Sequence, residues 1–145
     1  MPSASRERSG WRDLSLSQLH REWGVECPAT DIDCLVEAKS GHPVAIIEFK
    51  RRDWGTSSDW VQSKANQIIR RLARAANVAY IAVHYRETER GWLFCTKHAE
   101  GPNSDLFPVD SVFSEIGFVK ALYAMRGHPM SMVDELPRFR KATDA

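Results

Sequence analysis

Long apolar runs are missing from this sequence; none approaches the ~20 residues that a membrane-crossing helix needs. No apolar segment follows the arginines of the opening MPSASRERSG, so a secretory signal is not expected. Cysteine is scarce: Cys27, Cys34 and Cys95 are an odd number with no CxxC pair, which argues against a disulfide framework. Adding His98 gives no standard zinc-ligand spacing either. These features together lead us to expect a reducing, cytoplasmic setting. A GxGxxG or phosphate-loop pattern is absent, which disfavours nucleotide-driven chemistry, and no nucleophile-elbow sequence supports a Ser-His-Asp hydrolase. There is no internal repeat and no low-complexity block. An excess of one charge is also lacking, since 20 Lys and Arg stand against 19 Asp and Glu.

What is present suits one globular domain. The chain has 145 residues, of which 43% are hydrophobic and 27% charged. The expected organisation is a flexible segment over residues 1–10, a domain over 11–128 and a charged tail over 129–145. The charge balances in total but not in place. From Glu22 to Glu48 six acids face the single base Lys39, and from Lys50 to Arg74 seven bases face Asp53 and Asp59. Mutual neutralisation on a solvated surface accounts for that pattern. So does an enzyme whose carboxylates hold a cation while neighbouring bases hold a polyanion.

The spacing of apolar residues predicts a helix over Asp13 to Trp23, started by Asp13 or Ser15 and ended by Gly24. Asp31 to Glu37 alternates, with Asp31, Asp33, Leu35 and Glu37 on one face and Ile32, Cys34 and Val36 on the other, as in a strand. After the turn residues 39–43, the run Val44 to Phe49 reads as a strand covered on both sides, and the two form a hairpin. A long helix is expected over Trp60 to Ala76, with Val61, Ala65, Ile68, Ile69, Leu72 and Ala76 as its apolar stripe and Asn77 as its stop. Val78 to Tyr85 and Trp92 to Thr96 read as a further strand pair, and residues 110–126 as a second long helix. A strand, a helix and a further strand imply a right-handed parallel crossover. The expected fold is therefore α/β, a three-layer α/β/α arrangement with a central mixed sheet.

Glu48 resists a purely structural explanation. A carboxylate near the end of a covered strand must be paired, protonated or bound to a metal. Lys50 lies two residues on, on the same face, and Asp33 shares that face in the preceding strand, with Asp31 one repeat further. An ion pair at the end of a sheet satisfies this arrangement. It equally suits a hard divalent cation such as Mg²⁺, which takes oxygen ligands and keeps several waters. His84, in its apolar strand, reads as a satisfied core residue. Trp54, Trp60 and Trp92 read as core, with Trp54 beside Lys50, Arg51 and Arg52 also placed to stack on a base.

Asp33, a hydrophobic strand, a short turn and Glu48-Phe49-Lys50 ending the next strand resemble the D…ExK core of the PD-(D/E)xK nuclease superfamily. The two acids are 15 positions apart. A helix carrying Gln67 follows, in NQIIRRLARAANVAYIAVHY, and Glu22 lies upstream on a helix where many members place an accessory acid. The likeness runs from about Gln18 to Tyr85. The proline that usually precedes the first aspartate is absent, since the chain reads Ala29-Thr30-Asp31-Ile32-Asp33. The resemblance implies a restriction-endonuclease-like fold and a Mg²⁺- or Mn²⁺-dependent hydrolysis of phosphodiester bonds, most readily in DNA and by internal cutting. Phage or mobile-element DNA processing is a role in keeping with it. It makes Asp33 and Glu48 metal ligands, with Asp31 the second choice for the first position. Lys50 assists the water or the transition state, and Gln67 and Glu22 are accessory. Arg51, Arg52, Lys64, Arg70, Arg71 and Arg74 form a rim for nucleic acid, although Arg70, Arg71 and Arg74 do not all point the same way and it is Arg70 and Arg74, four apart, that share a helix face. A chain this small suggests either structure-selective cutting or work within a homodimer or larger assembly. Two other classes remain open: a catalytically inactive protein of nuclease fold that binds nucleic acid or serves in assembly, and an interaction module presenting the 110–126 helix.

Overall fold

The computed structural model describes residues 19, 22, 23, 26, 30–52 and 56–140. The chain divides into two compact units, Met1–Thr30 and Asp31–Ala145. In the first, Leu19 and Glu22 are helical and exposed, Trp23 is an exposed turn residue, and residues 13–18, 20 and 21 of the expected helix lie outside the described residues. Among the described residues no helix is long and apolar enough to cross a membrane.

The second unit is mixed α/β. Five strands, β1 (Cys34–Glu37), β2 (Pro43–Arg51), β3 (Ala79–Thr88), β4 (Gly91–Glu100) and β5 (Val112–Ser114), lie side by side in chain order. The pairs β1–β2, β3–β4 and β4–β5 are antiparallel, whereas β2 and β3 run parallel. The parallel pair requires a crossover, and helix α1 (Lys64–Ala76) supplies it. Helix α2 (Glu115–Met125) follows β5.

Each face of the sheet buries its own helix. Ala45, Ile47, Ala79, Ile81 and Val83 pack with Phe118, Ala121 and Met125 of α2. On the other face Ile46, Tyr80 and Ala82 pack with Ile69 and Ala73 of α1. Alternation along β2 therefore sends Ile46, Glu48 and Lys50 to the α1 side and Ile47 and Phe49 to the α2 side.

The elements depart from the sequence expectation at several points, the first being that the strand expected over Asp31 to Glu37 begins only at Cys34. The helix expected from residue 60 opens instead as a 3-10 turn, Asp59–Gln62, and α1 starts after Ser63, whose Oγ accepts from the Asn66 amide. Its buried stripe is Asn66, Ile69 and Ala73, while Ile68 and Leu72 are 44% and 49% exposed. The Asn66 side chain turns inward because it is fully engaged. Its Nδ2 donates to Trp60 O and Ser63 Oγ, and its Oδ1 accepts from Tyr80 OH at 2.9 Å. Residues 112–114 are a strand rather than the start of the second helix, because they complete the edge of β4. Finally, the stretch after Pro129 is not a loose tail. A 3-10 helix, Met130–Glu135, buries Val133 completely, and Arg138 forms a bidentate ion pair with Glu115 of α2. Asn77 ends α1 in the left-handed conformation, as its position suggested.

Candidate active site

Asp33 is the residue just before β1, and the register Cys34↔Ile47 sets it opposite Glu48. The two are tied reciprocally. The Asp33 amide donates to Glu48 Oε2 at 2.8 Å, and the Phe49 amide donates to Asp33 Oδ2 at 3.0 Å. Each carboxylate thereby spends one oxygen on backbone and keeps the other, Glu48 Oε1 and Asp33 Oδ1, outside this pair of bonds. Asp33 is exposed, whereas Glu48 is only 7% exposed. Burial raises the Glu48 carboxyl; the Asp33 amide and the Lys50 charge oppose that rise, and the Asp33 and Asp31 charges add to it. The neighbouring Cys34 thiol is pushed up first by burial, then by Asp33 and Glu48. Asp31 is exposed and close enough for its charge to act on Glu48.

Lys50 is exposed at the carboxyl end of β2, with Nζ 5.8 Å from the centre of the Trp60 ring. That ring stacks on His84, the register partner of Lys50 in β3, and its indole N–H donates to His84 Nε2 at 2.8 Å. Trp60 and His84 thus form a stacked, hydrogen-bonded pair beside the Lys50 ammonium. His84 is fully buried, in keeping with a core role. Sequence reasoning missed the part played by Trp60, Asn66 and Tyr80 in shaping this face, since none belongs to a recognisable motif. Tyr80 OH is raised well above the usual phenol range, first by burial and then by the charge of Glu48.

The other sequence candidates scatter. Gln67 is exposed, and its Nε2 donates to Gln62 O at 2.8 Å, a local bond that fastens α1 to the preceding turn. Glu22 lies in the first unit, exposed and helical. Arg70 and Arg74 do share a face, but both close on Glu100 of β4, at 2.7 and 2.8 Å, with His98 Nε2 also at 2.8 Å from Glu100. This network commits the Arg70 guanidinium, with only 13% of its side chain exposed, within the fold. Lys64 and Arg71 are exposed. Arg51 and Arg52 lie beyond Lys50 and line an open cavity of about 600 Å³ with Thr56, Arg86 and Glu87. Arg86 was not singled out from sequence. It reaches this cavity because β3 runs on to Thr88, and Arg86 directly follows Tyr85, the register partner of Arg51. Trp54 lies outside the described residues.

Among the described residues no three or more His, Cys, Asp or Glu side chains group closely enough to hold a metal ion. Two carboxylates, one of them buried and disfavoured as an anion, suit Mg²⁺ or Mn²⁺, which accept one or two carboxylates and complete their shell with water and substrate oxygens.

No protein-family model, no curated protein and no solved structure matches the chain.

Proposed function

We propose that the chain is a divalent-metal-dependent nuclease of the restriction-endonuclease-like, PD-(D/E)xK kind, hydrolysing phosphodiester bonds in DNA. The observation that carries the reading is the reciprocal pairing of Asp33 and Glu48 across the hairpin, which holds two carboxylates together at the expense of burying one. Asp33 and Glu48 would hold Mg²⁺ or Mn²⁺, with Asp31 at their margin. A bound ion of this type neutralises phosphate charge and lowers the pKa of water. The backbone amides of Asp33 and Phe49 orient the two carboxylates, so the donor set is arranged before any ligand arrives. Lys50, carried on the same face and set beside the Trp60 ring, brings a positive charge to the negative charge that develops at phosphorus. Arg51, Arg52 and Arg86, at the adjoining ends of β2 and β3, provide the positive surface for flanking phosphates.

Labelled DNA incubated with the protein and Mg²⁺ or Mn²⁺ tests this reading. Cleavage by the wild type is expected, abolished by EDTA and reduced at least about a hundredfold in Lys50→Ala and in Glu48→Gln, in line with losing a group that stabilises transition-state charge. Equal cleavage by all three proteins, or none by the wild type, would remove the assignment. Salt-sensitive but metal-indifferent DNA binding without cleavage would leave the inactive nuclease-fold reading in its place.

A further inference from the structure

The opposite face of the sheet carries a second concavity that the hydrolytic site does not use. Phe49, Tyr85, Trp92 and Phe94, all half-buried, line a cavity of about 540 Å³ beside Phe118 of α2. That volume falls in the range of small-ligand pockets. The rings are arranged as a connected platform. Phe49 meets Tyr85 edge-on at 6.1 Å, Tyr85 lies 5.9 Å from Trp92, and Phe94 stacks on Phe118 at 4.3 Å. Glu115 stands at the rim, its carboxylate held by the Arg138 guanidinium.

This aromatic cavity and the basic cavity adjoin. Arg51 lines the basic one, and its guanidinium lies 5.2 Å from the centre of the Trp92 ring, which lines the aromatic one. Glu87 and Trp92 are register partners in β3 and β4 and line one cavity each. Phe49 is the residue between Glu48 and Lys50 and points to the aromatic side. Positive charge suited to phosphate thus passes directly into a surface suited to flat apolar rings, at the same end of β2 as Lys50.

We propose that this pair of cavities binds an unpaired nucleotide of a nucleic-acid strand, its phosphate against Arg51, Arg52 and Arg86 and its base on the Phe49–Tyr85–Trp92 platform. The inference rests on the nucleic-acid part of the proposed function and narrows it to substrates with a single-stranded segment. Charge complementarity selects this occupant over an apolar peptide: the basic cavity is lined by three arginines and one glutamate. Bases inside a duplex are stacked on each other and cannot enter a side cavity without being extruded, whereas single-stranded bases stack on exposed aromatic rings regardless of sequence.

The test is fluorescence anisotropy in EDTA, so that binding is read without cleavage. Three labelled probes are compared: a single-stranded oligonucleotide, the same sequence as a duplex, and an abasic strand of equal length. Binding of the single strand at least about tenfold tighter than of either other probe is expected. Trp92→Leu, which keeps an apolar side chain, should weaken the single strand about tenfold while leaving the duplex unchanged, as base–aromatic stacking implies. Arg51→Ala should weaken all three probes and reduce their salt dependence. Thermal melting of each variant confirms that it is folded. Equal affinity for single strand and duplex, equal affinity for the abasic strand, or no effect of Trp92→Leu in the folded variant overturns the inference. Metal-dependent cleavage of duplex with no single-strand preference sinks this inference alone. A single-strand preference without cleavage sinks only the nuclease reading.

Discussion

Glu48 sits in a strand with both faces covered, and its burial favours the protonated form over the anion. For an acid whose folded-state pKa is raised, stability is fully present at low pH and declines as pH rises through the raised value. Ionising the Glu48 carboxyl in the native state therefore comes at some expense in stability. Replacement by glutamine removes the charge but keeps an oxygen to accept from the Asp33 amide. Glu48→Gln is expected to gain about 1 kcal/mol at pH 7, or ~3 °C in melting temperature for a domain of this size, and to flatten the decline in stability between acid and neutral pH. A purely structural Glu48–Lys50 ion pair leads to the opposite outcome, a loss of stability at pH 7. Melting curves from pH 4 to 8 for both proteins separate the two. A variant that becomes more stable while losing cleavage identifies a residue kept for chemistry rather than for folding.

Between elements, the firmest polar tie joins α1 to β4 through Glu100. Burial works to raise its carboxyl, and hydrogen bonds from His98, Arg70 and Arg74 outweigh burial and hold it at about 2. A depressed acid contributes stability that is present above its unfolded value and lost as pH falls through the folded one. That stability should fade between about 4.5 and about 2. Glu100→Gln is expected to cost about 2 kcal/mol at pH 7, the scale of hydrogen bonds to a charged group, and to remove most of the acid-dependent loss over that window. Urea unfolding at pH 7 and pH 3 reads both effects. An unchanged acid limb in the variant would show that the network is incidental.

Much at this scale was legible in the sequence. Period-two alternation put Asp33, Glu48 and Lys50 on one face before any coordinates, because side chains of adjacent paired strands follow the same pleat. The interior of α1 was not legible in the same way. A rule that sends apolar residues inward assigns Ile68 and Leu72 to the core, yet Asn66 takes an inward place through the Tyr80 hydroxyl, Trp60 carbonyl and Ser63 hydroxyl, all supplied by tertiary or turn geometry. Residues 112–114 misled for a related reason. Val112 and Phe113 fit either period over so short a stretch, and the open edge of β4 decided the matter.

The described unit as a whole is a mixed sheet with a different chemistry on each face at the end where the parallel pairing of β2 and β3 stops. Carboxylates and Lys50 occupy the α1 side, aromatic rings occupy the α2 side, and Arg51, Arg52 and Arg86 straddle the end. The carboxyl ends of parallel strands are where α/β sheets commonly bind ligands, since the connecting chain leaves a crevice there. Arg86 joined this set without a sequence signal because its position depends on how far β3 extends beside β2. The balanced total charge concealed a local separation that the fold turns into a negative notch beside a positive rim. Calorimetric titration of Mn²⁺ into the wild type and Glu48→Gln reads out whether Asp33 and Glu48 together hold a divalent cation. Saturable binding by the wild type that is lost in Glu48→Gln is the expected result; no binding by the wild type, or equal binding by both, would contradict the account.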